Sequence, residues 1–277
     1  MKDKDKEANK TISSELRKGL ILNHLNAYGH VSTREIAKEA NVSEITVRRD
    51  LAKLEEKGLL TRDHRGAVKN GSTGDLFAFY DKINRNSEEK NYICRIASTF
   101  IKAGDIIFID CGSTVSLLVD YIKKIDSLTV ITNSLPITSE LINFSNIKLI
   151  LAGGEVDSSR RAIYGYSTIN SISQYHANKA FIGADGISLL RGITSYNEKA
   201  ASVTLKMAEN SDEVFVLCDS SKIEKNSFVR FATLSAINYI ITDKRVDRML
   251  VPKYDEHGIK LLCEEVGGNT EHAITTN

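Results

Sequence analysis

Residues 31–68 read VSTREIAKEANVSEITVRRDLAKLEEKGLLTRDHRGAV, and their pattern decides how the N-terminal part of the chain folds. Ser32 and Glu35 have capping-box spacing, so Ser32 caps a helix whose inner face is Ile36, Ala37 and Ala40. Asn41 and Val42 give a turn, and Ser43 is placed to cap a second helix. There Val47, Leu51 and Leu54 recur at i, i+4 and i+7, one apolar stripe facing inward. Gly58 supplies the left-handed residue that ends this helix, with Leu59 packing back against it. Leu59–Thr61 and Ala67–Lys69 then pair around Arg62, His64, Arg65 and Gly66 as a basic hairpin.

At about 100° per residue, Ile45, Arg49 and Lys53 lie opposite the apolar stripe, with Thr46 beside them and Arg48 on the flank. A helix with an apolar rear and an Arg/Lys/Thr front suits a DNA major groove. A solvated charged face is the plain alternative. The order of capped helix, tight turn, second helix and arginine-bearing hairpin is that of a winged helix-turn-helix, and it favours DNA. The expected contacts are Ser32, Thr33, Ser43, Glu44, Thr46, Arg48, Arg49, Lys53 and Arg65.

The runs Val31–Ala37 and Val42–Leu51, with Leu54, Gly58 and Gly66, resemble the DeoR family of bacterial sugar-metabolism regulators. The similarity continues to about Asp243 and so covers most of the chain.

With 277 residues, 42% hydrophobic and 26% charged, the composition is that of a soluble globular protein of two domains. The net charge of +1 hides a modest asymmetry. Residues 14–69 carry 11 Lys/Arg against 8 Asp/Glu (+3), and residues 70–277 carry 22 against 25 (−3). That favours a nucleic-acid module on a neutral-to-acidic partner domain. Cys94, Cys111, Cys218 and Cys263 are scattered, so buried reduced thiols are expected, with no metal and no disulfide framework. No apolar run approaches the roughly 18 residues of a spanning helix, and Met1–Lys10 has no signal-peptide character. A cytoplasmic protein without a membrane partner is expected.

The expected organisation is a disordered tail (1–13), a DNA-binding domain (14–69), a linker (70–90), a sensor domain (91–250) and an unplaced C-terminal extension (251–277). Residues 14–28 form the first helix, with Leu16, Ile21, Leu22 and Leu25 apolar and Gly29 as its stop; residues 75–100 read mostly as helix. From Asp105 the pattern becomes strand, loop, helix, repeated. The strands are Ile106–Ile109, Leu128–Thr132, Lys148–Ala152, Ala180–Ile182, Val214–Leu217 and Tyr239–Thr242. Such alternation implies an α/β domain with a mainly parallel sheet and helices on both faces.

Ligands of open parallel sheets sit beyond the carboxyl ends of the strands. Five loops fall at that edge. Asp110, Gly112, Ser113 and Thr114 offer a tight turn, two hydroxyls and free N–H groups at an exposed helix start, which suits a phosphate. Asn133 and Ser134, Gly153 and Gly154, Gly183–Gly186 with Asp185, and Asp219–Lys222 follow later strands. Each alone is more simply a helix cap; five at one edge point to a ligand pocket.

This half resembles the DeoR sensor domain, itself similar to ribose-5-phosphate isomerase. In that enzyme a D-G-A-D loop, a lysine and a later glutamate carry the proton transfer. Here the matching residues are Ile182–Asp185, Arg191, and Glu198 followed by Lys199. Isoleucine cannot be a base and arginine does not shed its proton. The resemblance therefore implies a domain that binds a phosphorylated sugar or polyol unchanged. Asp185 and Glu198 would hold hydroxyls, and Lys199 or Lys222 would balance the phosphate; the structural alternative is a salt-bridged helix start. The whole reads as a transcriptional regulator, a repressor acting on operator DNA as a homo-oligomer, without catalytic residues or cofactor. The competing readings are a sugar-phosphate isomerase carrying a DNA-binding appendage, and a regulator whose sensor answers a partner protein.

Overall fold

The computed structural model describes residues 13–69 and 85–264. The chain divides into two compact units, Met1–Asp81 and Lys82–Asn277. Most of the expected tail and linker, and residues 265–277, lie outside the described residues.

In the first unit, α1 (Ser14–Tyr28) ends at Gly29, which takes the left-handed φ of 75°. Strand β1 (His30–Ser32) leads into α2 (Thr33–Glu39) and, after Asn41 turns the chain at φ 51°, α3 (Glu44–Glu56). The Ser32 and Ser43 side chains cap α2 and α3, accepting from the Glu35 and Thr46 amides. Past the end of α3, Gly58 (φ 70°) donates to Glu55 O and Leu59 donates to Leu54 O, the paired bonds of a Schellman motif. Strands β2 (Leu60–Arg62) and β3 (Gly66–Lys69) form the hairpin. β1 joins it in the order β1-β3-β2, a third strand the sequence pattern did not reveal. Ile21, Leu25, Ile36, Val47, Leu51, Leu54 and Leu60 make one core. Of the apolar positions expected in α1, Ile21 and Leu25 are buried, whereas Leu16 is 66% exposed.

The second unit begins with α4 (Ser87–Ser98) and is built on seven parallel strands: β4 (Ile106–Ile109), β5 (Leu128–Thr132), β6 (Ile147–Leu151), β9 (Ala177–Gly183), β12 (Ser211–Leu217), β14 (Tyr239–Ile241) and β15 (Lys260–Leu262). Their order is β15-β14-β12-β9-β4-β5-β6. Successive residues alternate faces: Phe108 joins one core, and its neighbours Ile107 and Ile109 join the other. The first core holds Ile172 of α7 (Tyr166–Ser173), Val203 and Met207 of α8 (Glu198–Glu209) and Tyr254 of α9 (Leu250–Asp255). The second holds Ile93 and Ile96 of α4, Val119 and Ile122 of α5 (Val119–Ile122) and Ile137 and Leu141 of α6 (Leu135–Leu141). Helices thus cover both faces, as such a sheet requires.

Three features depart from the expected pattern. The stretch after Thr114 is a 3-10 turn, Val115–Leu118, running into the short α5. The C-terminal stretch that the pattern left unplaced supplies α9 and β15, the latter pairing in parallel with β14. Two antiparallel pieces sit among the parallel units: the hairpin β7 (Glu155–Asp157)–β8 (Ala162–Tyr164), and the sheet β10 (Gly186–Ser188), β11 (Gly192–Ser195), β13 (Val229–Ala232). Their strands are three or four residues long, too short for a period-two signal to stand out.

Candidate functional sites: the front of α3 and the carboxyl edge of the sheet

In the first unit, Glu44, Arg48, Arg49 and Lys53 are exposed and Thr46 is half-buried, its Oγ1 2.9 Å from Ser43 Oγ. Arg65 is exposed at the hairpin turn. Asp63 holds that turn by accepting from the Arg65 and Gly66 amides at 2.8 and 2.9 Å. Gly66 has no alternative: a Cβ there would lie 2.0 Å from Val31 O. The hairpin is fastened to α3 by Glu55, whose carboxylate accepts from the Arg62 amide at 2.8 Å and pairs with the Arg62 guanidinium. Thr33 and Ser32 stand differently. Thr33 is buried with its amide on Arg65 O (3.0 Å), and the Ser32 hydroxyl is spent on the α2 cap. Both therefore hold α2 and the hairpin in place, whereas the arginines face outward.

Asp50 went unnoticed in the sequence. It is buried, paired with buried Arg17 of α1, and accepts from Ser14 Oγ at 3.1 Å. The signal was there: Asp50 sits among Val47, Leu51 and Leu54, a charge on an apolar stripe.

In the second unit, the strand order reverses direction at the β4–β9 pair, the position where such sheets take ligands. Asp110, expected to touch ligand, is buried at that seam. Its carboxylate accepts from the Cys111 amide at 2.7 Å and the Gly183 amide at 3.1 Å, tying the β4 loop to the β9 loop. Burial pushes its pKa up, opposed by the bonds from Gly183, Cys111 and Thr204. Beyond it, the amides of Gly112, Ser113 and Thr114 have no acceptor among the described residues. Thr114 is buried, which corrects the exposed helix start expected there. Its carbonyl accepts from Cys94 Sγ at 3.0 Å, so the residue is packed into the wall beneath the loop.

Lys90, on the first turns of α4, reaches the same loop. It is buried, and its Nζ donates to Ser113 Oγ at 3.2 Å. Like Asp50 it lies on an apolar stripe, at i to Ile93, Cys94 and Ala97. A buried ammonium is costly unless it is paired; alongside its other interactions this one bonds the loop that carries the three amides. An ammonium bonded to a loop whose amides have no acceptor among the described residues is a combination that can bind an oxyanion. Next to Lys90, Glu89 pairs with Arg245 (3.0 Å), which in turn holds Asp243 (3.1 Å) at the end of β14.

The other expected residues divide. Lys222 donates to Ala184 O at 3.0 Å and so joins the β12 loop to the β9 loop near Gly183. Asp185 is half-buried and accepts from Ser195 Oγ (3.2 Å) and the Tyr196 amide (2.9 Å). Glu198 and Lys199 are exposed on the first turn of α8, with Lys199 paired to exposed Glu155 at 3.2 Å. Asn133 and Ser134 are fully buried: Asn133 Nδ2 donates to Ile163 O (3.0 Å), docking the β7–β8 hairpin, and Ser134 caps α6. Gly153 and Gly154 are exposed, and Gly154 allows the close passage of Thr168, whose Oγ1 would lie 2.2 Å from a Cβ. Ile182 is buried in the core and Arg191 is exposed at the tip of the β10–β11 hairpin. Neither offers a titrating base.

Among the described residues no helix is long and apolar enough to cross a membrane. Residues 17–73 match the DeoR-like helix-turn-helix domain and residues 85–244 the DeoR C terminal sensor domain. The chain is 35% identical to the HTH-type transcriptional repressor GlcR of Bacillus subtilis, over 88% of this chain and 94% of GlcR. It is 36% identical to the L-fucose operon activator of Haemophilus influenzae, over 88% and 97%. With the lactose phosphotransferase system repressor of Staphylococcus epidermidis the identity is 38%, over 79% and 88%. A D-ribose-5-phosphate isomerase in complex with phospho-erythronic acid aligns at a TM-score of 0.38 and 16% identity, over 50% of this chain and 54% of its own, too loosely to argue from. Both domain matches and the full-length relatives agree: this chain belongs to the DeoR family and is a DNA-binding transcriptional regulator, not an isomerase.

Proposed function

We propose that this regulator represses a sugar or polyol catabolic operon in the cytoplasm, and that a phosphorylated sugar bound at the carboxyl edge of the sheet releases it from the operator. The observation that carries the effector reading is the trio of free amides at Gly112, Ser113 and Thr114 beside the buried Lys90 ammonium. Backbone donors and one fixed cation suit a phosphate better than a neutral sugar. Lys222 and Asp185 border the same edge and are the candidates for the sugar hydroxyls. Repression rather than activation follows GlcR and the lactose repressor, against the fucose operon activator. On the DNA side, Arg48, Arg49, Lys53 and Arg65 are the proposed contacts, and two α3 helices in a homo-oligomer would read two half-sites.

The test is a thermal-shift screen with phosphorylated and unphosphorylated forms of the same sugars, followed by operator binding with each hit. A phosphorylated sugar should raise the melting temperature and release operator DNA, its unphosphorylated partner doing neither. Stabilisation by the neutral sugar alone would exclude the phosphate loop. Light scattering of the full chain should give a mass above the monomer.

A further inference from the structure

We propose that Ile45 reads a thymine, packing against its 5-methyl group in the major groove beside the base met by Arg49. The proposal rests on the reading of α3 as the groove helix. Ile45 is 64% exposed in the first turns of α3. It lies about 200° around the helix from Val47 and about 180° from Leu54, on the side away from the core. It gives α3 nothing by packing inward, and a β-branched side chain is a middling helix former.

A lone exposed isoleucine ordinarily calls for no explanation. Position singles this one out. Leu16, Tyr28 and Leu59, the other large exposed apolar residues among the described residues of this unit, lie on α1 or beyond the end of α3. Ile45 stands one turn before Arg49 on the same face, with Arg48 and Lys53 exposed nearby. That face is the cationic one, and its polyanionic partner carries few apolar groups. In the major groove the apolar group on offer is the thymine methyl, while Arg49 is suited to the O6 and N7 of a guanine. Ile45 and Arg49 together specify a thymine within a step or so of a guanine.

The experiment uses the full chain and the half-site returned by selection from random duplex DNA. Each thymine of that site is replaced in turn by deoxyuridine, which removes the methyl and nothing else. The wild type should lose about fourfold in affinity at one thymine next to the guanine, the effect of burying one methyl. Ile45→Ala should bind the thymine and uracil versions of that position alike, and Ile45→Val should keep part of the difference. The Ile45→Ala variant should melt at or slightly above the wild type, because the side chain is exposed and alanine is the better helix former. Uracil sensitivity that persists unchanged in Ile45→Ala, or no sensitive thymine in the site, overturns the proposal. Arg49→Ala separates the two levels. If it binds the selected site as wild type does, α3 is not the groove helix and both readings fall. If it binds weakly while Ile45→Ala keeps the uracil effect, only the thymine contact falls.

Discussion

The front of α3 and the carboxyl edge of the seven-stranded sheet put their polar residues to opposite use. On α3 the arginines stand exposed, and the fold is held from behind by apolar residues and one buried ion pair. At the sheet edge the polar side chains mostly face one another. Asp110 joins two loops, Asn133 docks a hairpin, Ser134 caps a helix, and what remains open is backbone. DNA presents many phosphates to a convex face, so the protein answers with long mobile cations. A small anion must be surrounded, so the protein answers with fixed amides in a rigid frame. Side chains at the edge are therefore mainly frame, and those on α3 mainly contact.

The sharpest attack on that comparison is made at the buried ion pair behind α3. Asp50→Ala removes the carboxylate that pairs with buried Arg17 and should cost up to about 3–5 kcal/mol of stability in urea unfolding. A loss below about 1 kcal/mol would mean that the other interactions of Arg17 suffice to hold it, and that the ion pair adds little to the frame of this unit. Next in size is Lys90→Met, which keeps the volume on the apolar stripe of α4 and removes the ammonium. Effector binding should weaken by about 1.5–3 kcal/mol, the range for a hydrogen bond to a charged group, with operator affinity unchanged when no effector is present. Release of DNA at the wild-type effector concentration would take Lys90 out of the site. Arg49→Ala should weaken operator binding by about 1–3 kcal/mol and flatten its salt dependence while leaving the melting temperature alone. Equal affinity at matched salt would move the contact surface off α3.

The same contrast explains what could be read from residues alone. Periodicity marked α2, α3 and six of the seven parallel strands, because each carries a clear 3.6-residue repeat or an unbroken apolar run. The exposed arginines were visible as the complement of the apolar stripe. Asp50 and Lys90 were not picked out, although each breaks an apolar stripe, since spacing alone does not show where a lone charge finds its partner. Arg17 lies 33 residues from Asp50, and Ser113 lies 23 from Lys90. Thr114 looked like an exposed helix start because Gly-Ser-Thr is capping chemistry; packing of α4 beneath the loop buries it. Asn133 and Ser134 read as ligand groups from sequence because nothing local foretells a hairpin docking from 30 residues away.

The smallest effect tests whether the edge is frame by following its acids with pH. Asp243 is buried, which alone would raise its pKa, but bonds from Ser220 and Arg245 outweigh the burial and hold the value below its ordinary 3.8. The folded state then binds fewer protons than the unfolded chain between the two values. The carboxylate's contribution is complete above the ordinary value and is lost as pH falls through the folded one. Asp110 runs the other way, its folded value raised by burial, so its contribution is fullest in acid and declines as pH rises. Comparing wild type with Asp243→Asn removes the Asp110 part, which both share. Wild type should melt higher at about pH 6, and the gap should narrow on acidification below the ordinary carboxylate range. A gap that stays constant across that range would show that Asp243 matters for its shape alone, and that the Glu89–Arg245–Asp243 chain carries no charge-dependent hold on the start of α4.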